Sequence, residues 1–522
     1  MDADSPWAPL RRRMFLILWL ANIGSNIGTW MQTVGAQWFL VESGANAALV
    51  SLVQTANLAP ALLLGLIAGV LADAFNRRRL ILGSNLFAAG AAGMLAIIAA
   101  LGLLDPDSLL LYTFLIGCGT ALSAPAWQAI TPALVPRDQI RAASALSSAA
   151  VNAARAVGPA LGGVLVSLLG PAFVFGLNAV SFLGTAAAVY LWRAPAEPED
   201  PERMKEALAA GLRYIRAAPR VRRILLRTAL FMVPASALYA LLPVAVNAHL
   251  GLGSTGYGLL LGALGAGAVL GVILLPRVQG QVNDSVLLGF AAAVFGAGMF
   301  AAGFLPAWLL GVLLLFSGMA WIATFSILNS SMQLTLPEWV RARGLSIYLM
   351  ITTGAQALGA VVWGSLATAY GYAPVLAAAG AALAAVGLSV VVLPLLPRTG
   401  RLDRSIAEAE LGIEPTQEPQ PDAGPVTVLI AYELAPEKAA DFVKVMHEVR
   451  LSRMRTGARD WELVHSVTDP RQFREIYDVA TWREYLRQEQ ERTTGEDRKL
   501  IGEAAGLAEE PPLTRWFLPA SA

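Results

Sequence analysis

GVLADAFNRRR, residues 69–79, ends a long apolar run with one acid and closes it with three consecutive arginines. A second apolar run starts at Leu80. A basic loop between two apolar runs marks a membrane boundary and is held on the cytoplasmic side. Working outward, the same side is marked by Arg137/Arg141, Arg193–Arg227, Arg277 and Arg341/Arg343. Arg11–Arg13 precede the first run and Arg398–Arg404 follow the last. The stretches between them, Val41–Ala48, Leu104–Ser108, Leu169–Ala172, Ala248–Gly256, Phe304–Ala307 and Ala369–Pro374, carry no Lys or Arg. So strict an alternation predicts the number of spans and their orientation together.

A span takes roughly 20 apolar residues. Twelve runs meet this length, at about 14–41, 48–72, 80–104, 108–135, 142–169, 171–192, 224–248, 255–276, 285–304, 307–336, 344–369 and 373–397. An even number puts both termini in the cytoplasm. Composition agrees, since the 522 residues are 56% hydrophobic and 14% charged, against about 25% charged in soluble domains. A net charge of +1 gives no reason to expect a nucleic-acid partner. The single cysteine, Cys118, sits in an apolar run, allows no intrachain disulfide and is expected to pack. Arg11–Arg13 followed by residues 14–21 have the look of a signal peptide. The run continues to about Leu40 without a small-residue cleavage site, so an uncleaved first span is expected.

The expected domains are a six-helix half at 1–192, a connector at 193–223 and a second six-helix half at 224–404. The connector holds Pro195–Pro201 and then a helix, Met204–Ala217, with Leu208, Leu212 and Ile215 on one face. That pattern suits an interfacial helix. The halves look like copies at an offset of 201 residues, pairing Pro136 with Pro337, Ala154 with Ala355 and Gly158 with Gly359. Gly163/Gly364, Leu165/Leu366 and Gly170/Gly371 continue the series. Repeated halves place a transporter's substrate site near midplane between them.

A Pro-rich linker, 405–425, leads to a soluble domain, 426–522. Strands are expected at Val426–Leu434, Trp461–Thr468, Glu475–Ala480 and Leu513–Leu518, with helices at Pro436–Thr456 and Trp482–Ala508. This β-α-β-β-α-β order is ferredoxin-like. The fold class is therefore an all-α polytopic membrane protein of twelve helices in two halves, plus an α+β ferredoxin-like domain. The Arg/Glu-rich stretch 482–500 reads as a solvated helix face.

Residues 69–79 resemble the G-x-x-x-D-(R/K)-x-G-(R/K)-(R/K) loop of the major facilitator superfamily. Gly69, Asp73, Arg77 and Arg78 match, while Ala74 and Asn76 depart from the basic residue and the glycine. The equivalent point of the second half, Gly271–Arg277, lacks the acid. The resemblance implies that this loop latches the cytoplasmic gate, with Asp73 facing the start of span eleven near Arg341/Arg343. In span five, Gly158-Pro159 and Gly162-Gly163 resemble the exporter motif of the same superfamily, with Ala154 where an upstream glycine is expected. Within that superfamily, residues 1–400 are similar to the enterobactin-exporter-like and macrolide-efflux-like carriers, also called transmembrane secretion effectors. The stretch Trp482 to Asp497 resembles W-x-E-H-L-R-Q-H-E-R-x-T-x-x-D of a C-terminal domain that some members carry, with Tyr485 in place of one histidine. That domain is similar to the antibiotic-biosynthesis monooxygenase fold, a dimeric α+β barrel, which makes a homodimer through 426–522 a candidate assembly.

Arg155 is the one clear basic residue deep in a span, and placing it there costs roughly 2.5–3.5 kcal/mol. With Ser148 and Asn152 on the same face, it either binds an anionic or polyhydroxyl substrate or is a structural arginine satisfied by carbonyls. Span one carries a polar stripe of Asn22, Asn26, Thr29/Trp30, Thr33 and Gln37. Span four adds Ser123, Trp127, Gln128 and Thr131; span ten adds Ser326, Asn329/Ser330 and Gln333; span eleven adds Gln356. The resemblance implies that spans one, four, seven and ten line the cavity. Interhelical hydrogen bonding is the other reading of the same residues.

No Asp or Glu lies in the middle of a span. Proton coupling would then fall to Asp73 or Glu42 at span ends, or to His249. No G-x-x-x-x-G-K-(S/T) loop is present, which argues against ATP hydrolysis. In the tail, His447, His465, Trp461, Tyr477 and Trp482 are candidates to line a pocket, but the histidines lack metal-ligand spacing. No cofactor, metal or catalytic residue is expected. The expected function is export of a siderophore-like or drug-like molecule across the bacterial inner membrane by alternating access. Uptake by the same fold, a membrane-anchored enzyme or sensor acting through the tail, and a non-transporting receptor are the alternatives.

Overall fold

Inside a bilayer no water satisfies the backbone, so an apolar run becomes a helix that pairs its own N–H and C=O groups. The computed structural model describes residues 7–130, 134–192, 204–279, 281–397, 399, 402–407 and 418–520. Thr131, the stretch Pro195–Pro201 and much of the expected linker lie outside the described residues.

Among the described residues, ten helices are long and apolar enough to cross a membrane. They are α1 (Arg13–Glu42), α2 (Ala47–Ala74), α3 (Arg77–Ala100), α4 (Pro106–Ile130), α5 (Ile140–Leu191), α7 (Pro219–Ala248), α8 (Ser254–Val278), α9 (Asp284–Phe304), α10 (Ala307–Thr335) and α11 (Glu338–Tyr370). Two more helices differ in kind: α6 (Met204–Ala217), in the connector, and the shorter apolar α12 (Tyr372–Leu388). Asparagines start three of the long helices. The side chains of Asn46, Asn76 and Asn283 accept the backbone N–H of Leu49, Arg79 and Ser285, which satisfies donors that a helix start leaves open. Asn76, where the gate-loop pattern has glycine, is thereby the cap of α3.

The 52-residue α5 is not one straight helix: Gly170 has φ 76° and Pro171 follows it. Glycine adopts that conformation without a Cβ clash, and the proline has no N–H to continue the ladder. Its counterpart at the 201-residue offset, Gly371, has φ 86° and ends α11 before α12.

The chain divides into two compact units. The first comprises Met1–Pro201, Leu226–Leu328 and Leu349–Pro394. Its core is small residues and aromatics, including Ala235, Ala240, Tyr257, Phe295 and Trp321, while Leu168, Phe290, Trp308 and Val391 stand exposed. An apolar exterior of that extent suits lipid.

The second unit comprises Glu202–Leu225, Asn329–Tyr348 and Leu395–Ala522. It contains β1 (Val426–Glu433), β2 (Arg459–His465), β3 (Gln472–Val479) and β4 (Leu513–Phe517) in the order β2-β3-β1-β4. All neighbours are antiparallel. Between β1 and β2 runs α13 (Ala439–Thr456); between β3 and β4 run α14 (Trp482–Arg487) and α15 (Gly495–Leu507). Alternate residues of β1, Val426, Val428, Ile430 and Tyr432, are buried with Phe442, Met446 and Val449 of α13. The expected single helix 482–508 is broken. Residues Gln488–Arg492 form a π-helical turn, and Thr494 then caps α15 in a capping box with Asp497. Nor is 482–500 a solvated face: Gln488, Glu489, Arg492 and Asp497 are buried. The reason lies on α13, whose Arg453 and Arg455 are also buried and need carboxylate partners.

Candidate functional site

The Gly-Pro-x-x-Gly-Gly segment of α5 lies between α1 and α8. A Cβ on Gly158 would stand 2.6 Å from the Trp30 Cβ, and one on Gly162 would stand 2.8 Å from the Met31 Cα. One on Gly163 would meet the Ser254 carbonyl and come within 2.9 Å of the Gly258 Cα. Only a missing side chain allows so close an approach of backbones. Pro159 is buried in this seam.

The second half repeats the arrangement. A Cβ on Gly359 would meet Val233 and Ser236 of α7, and one on Gly364 would meet Ala47 and Ser51 of α2. Thus Gly158 faces α1 as Gly359 faces α7, and Gly163 faces the first turns of α8 as Gly364 faces those of α2. The offset of 201 residues relates positions in equivalent surroundings.

Polar groups collect beside the seam. Gln37 is buried, donates to the Tyr239 carbonyl at 3.1 Å and accepts from the Tyr257 hydroxyl at 2.5 Å, joining α1, α7 and α8. Trp38 stacks on Tyr257. Buried Gln32 accepts from Asn178. Sequence reading missed Asn178, Tyr239 and Tyr257; the available signal was a polar residue inside each apolar run.

Arg155 lies on α5 with its guanidinium 5.8 Å from the Trp30 ring centroid. Its Nε is buried without a hydrogen-bond partner among the described residues. The buried Tyr239 is near enough to feel its charge, and the Tyr239 hydroxyl is likewise unpaired among them. Arg227, on α7, is the contrast: its guanidinium donates to the carbonyls of Val386 and Leu393 and to the Ser389 hydroxyl. Arg227 is structural; Arg155 presents a cation beside an aromatic face.

Other expected site residues are more dispersed. Asn26 donates to Asn22, Asn152 to the Ser148 carbonyl and Gln356 to the Thr352 carbonyl, each within its own helix. Trp127 is half-buried beside a cluster holding Leu18 and Ile81, and Gln128 is exposed. Asn329, half-buried, and Gln333, exposed, belong to the second unit.

At the gate loop, Arg78 donates to the carbonyls of Val189 and Tyr190 at 3.3 and 2.5 Å and lies over the Tyr190 ring. A cation there complements the carboxyl end of α5. Arg77 is half-buried. Gly69 and the Asp73 side chain lie outside the described residues, and with them the expected approach of Asp73 to α11.

The second unit carries a separate buried ionic network. Glu475 pairs with Arg453 at 3.2 Å and accepts from Trp461 and Tyr432; Arg453 also pairs with Glu489 at 3.1 Å. Asp497 pairs with Arg455 and accepts from Ser452 and Thr494, both at 2.6 Å. Burial pushes the Asp497 carboxyl up, but the Arg455 charge and these hydrogen bonds outweigh it and hold the group at about 2. Of the five tail residues expected to line a pocket, His447, Trp461 and His465 line a cleft between α13 and β2. Tyr477 and Trp482 do not join them, because both are buried in the tail core. Among the described residues no cluster of three or more His, Cys, Asp or Glu could hold a metal.

Comparison with known proteins agrees with this geometry. A family model described as "transmembrane secretion effector" matches residues 4–520. The enterobactin exporter EntS of Citrobacter koseri is 31% identical over 354 residues, covering 65% of this chain and 80% of that protein. EntS of Salmonella typhimurium is 31% identical over 359 residues, covering 66% and 82%. Among solved structures, the nucleoside transporter NupG matches with a TM-score of 0.61 at 14% identity, covering 73% of this chain and 100% of its own. A bacterial homolog of the human lysosomal transporter Spinster, inward-facing and unoccupied, matches with a TM-score of 0.56 at 16% identity, covering 74% and 95%. At those identities the solved structures speak for the fold alone. Taken with the glycine seams and the multi-pass helices, these matches establish that the chain belongs to the transmembrane secretion effector family of major facilitator superfamily transporters.

Proposed function

We propose that this transporter exports a small organic molecule with an anionic or polyhydroxyl group, of the siderophore or drug-like kind, from the bacterial cytoplasm. The observation that carries the substrate class is Arg155, a cation against the Trp30 ring whose Nε is buried and unpaired among the described residues. A half-buried cation inside a span favours a negatively charged or hydroxyl-rich ligand over a cationic one. The 31%-identical relatives named enterobactin exporters support the direction.

In this reading the membrane part has twelve spans: the ten long helices, one more from dividing α5 at Gly170, and α12. The basic loops and both termini are cytoplasmic. Substrate sits between the halves, touched by Trp30, Arg155, Gln37 and the remaining polar positions of α1, α4 and α11. The halves rock about the seams that α5 makes with α1 and α8, and α11 with α7 and α2. Gly158, Pro159, Gly162 and Gly163 serve as the pivot, and Gly69, Asp73, Arg77 and Arg78 serve as the latch. Protons are the candidate coupling ion. The tail is a ferredoxin-like domain without catalytic function, supported by its β-α-β-β-α-β order and antiparallel sheet, and a homodimer forms through it.

Iron-free enterobactin is the probe for the test, in inside-out and right-side-out vesicles with and without a pH gradient. ATP-independent accumulation in inside-out vesicles is expected. Accumulation only in right-side-out vesicles would establish uptake instead, and binding without flux would establish a receptor.

A further inference from the structure

We infer that the C-terminal domain clamps the first turn of α11 and the connector helix, with Glu484 as the keystone of the clamp. All the groups involved lie in the second unit. Glu484 Oε1 accepts from Arg492 at 2.9 Å and from Arg213 of α6 at 3.3 Å, while Oε2 accepts from Arg492 at 3.1 Å. One carboxylate therefore joins two arginines, one from the tail and one from the connector. Arg492, buried, also donates to the Thr456 carbonyl and lies 5.0 Å from the ring centroid of Trp339, in the first turn of α11. Trp339 meets Tyr214 of α6 edge-on at 5.7 Å, and α13 packs along α6. The chain after α12 is held as well: the backbones of Asp403, Ser405 and Ala407 pair with those of Glu496, Gly495 and Thr493.

The contact has the character of a releasable joint. Arg213 Nε, the Tyr214 hydroxyl and Trp339 Nε1 are buried without hydrogen-bond partners among the described residues. Each would be hydrated on opening, which offsets part of the cost of separation. Glu484 is only partly buried, so its ion pairs are accessible to solvent at one side. In alternating access α11 has to tilt with its half; a tail fixed to its first turn resists that tilt until the Glu484 pairs part. This consequence for transport rests on the transporter reading above, but the clamp itself does not. Glu484 and Arg492 are thus positioning residues that act through α11.

The test is hydrogen exchange on the full chain in lipid nanodiscs, needing no substrate. Arg213→Ala removes the connector side without touching the tail; Glu484→Gln removes the keystone charge; Arg471→Ala, in an exposed pair with Glu433, is the control. Amides of residues 338–345 should exchange about tenfold faster in the first two variants and at the wild-type rate in the control. Arg213→Lys should restore part of the protection. Amides of β1 report whether the tail stays folded. Unchanged exchange at 338–345 with β1 protected would overturn the clamp, whether or not enterobactin is carried. Wild-type efflux of enterobactin alongside faster exchange would overturn the positioning role.

Discussion

At the residue scale, two arginines in membrane helices differ in how the structure satisfies them. Arg227 is held by carbonyls at and just after the end of α12, whereas Arg155 leaves a donor unpaired among the described residues beside Trp30. Arg155→Ala should therefore lower efflux about tenfold or more while leaving the melting temperature close to wild type. Arg227→Ala should do the reverse, costing about 1–3 kcal/mol as buried carbonyls lose their donor. Efflux assays and thermal unfolding of both variants check the pair; equal effects on both readouts would remove the distinction. Arg155 was legible in the sequence because it stands alone in an apolar run. Arg227 was read only as a topology charge, since its carbonyl partners come from a helix about 160 residues away. A third residue, Asp497, sets an acid limit on the tail. Its folded carboxyl is held at about 2, below the ordinary 3.8. A depressed carboxyl stabilises above its unfolded value, and the contribution is lost as pH falls through the folded one. The tail should thus lose about 2 kcal/mol between roughly pH 4 and pH 2. Asp497→Asn should flatten that part of the profile, measured by circular dichroism of the tail strands in the full chain.

At the scale of elements, the two seams make a shared prediction. Gly163 faces the backbones of Ser254 and Gly258, and Gly364 faces the short Ser51 side chain with the Ala47 carbonyl behind it, so neither neighbour can move aside like a long flexible side chain. Gly163→Ala should push α5 from α8, and Gly364→Ala should push α11 from α2, each destabilising by about 1–3 kcal/mol. Both should reduce efflux if the helices pivot where they touch. Gly184, with nothing within 4 Å of a Cβ, is the control and should tolerate alanine. Indistinguishable melting and efflux across the three variants would dissolve the pivot. The 201-residue offset was visible as matched glycines, yet composition alone makes such matches common. What the offset could not say is which neighbour each glycine meets, because that depends on packing between helices distant in sequence. The tail illustrates the opposite failure. An Arg/Glu-rich stretch from 482 to 500 has the composition of a solvated helix, and local sequence gives no sign that Arg453 and Arg455 lie buried against it.

At the scale of the whole molecule, the charge alternation makes a claim that none of its helices makes alone. Twelve spans with every basic loop on one side require the loop after α3 to be outside and the tail to be inside. The physical ground is that short Lys/Arg-rich loops resist translocation, and here the bias is consistent at each loop from Arg77 to Arg343. An odd number of spans would send the tail outward, and the ambiguous elements are the two that flank a positive-φ glycine: α5, broken at Gly170, and α12, short and following Gly371. If either failed to cross independently, the tail and the gate loop would lie on opposite sides. Cysteine accessibility decides this. In a Cys118→Ala background, Leu103→Cys and Val467→Cys place one thiol in the exposed loop after α3 and one in the tail, where Val467 is 99% exposed. A membrane-impermeant maleimide should label Leu103→Cys in intact cells and Val467→Cys only after permeabilisation. Labelling of Val467→Cys in intact cells would make the span number odd, and would put the Glu484 clamp on the face opposite to Arg77–Arg79.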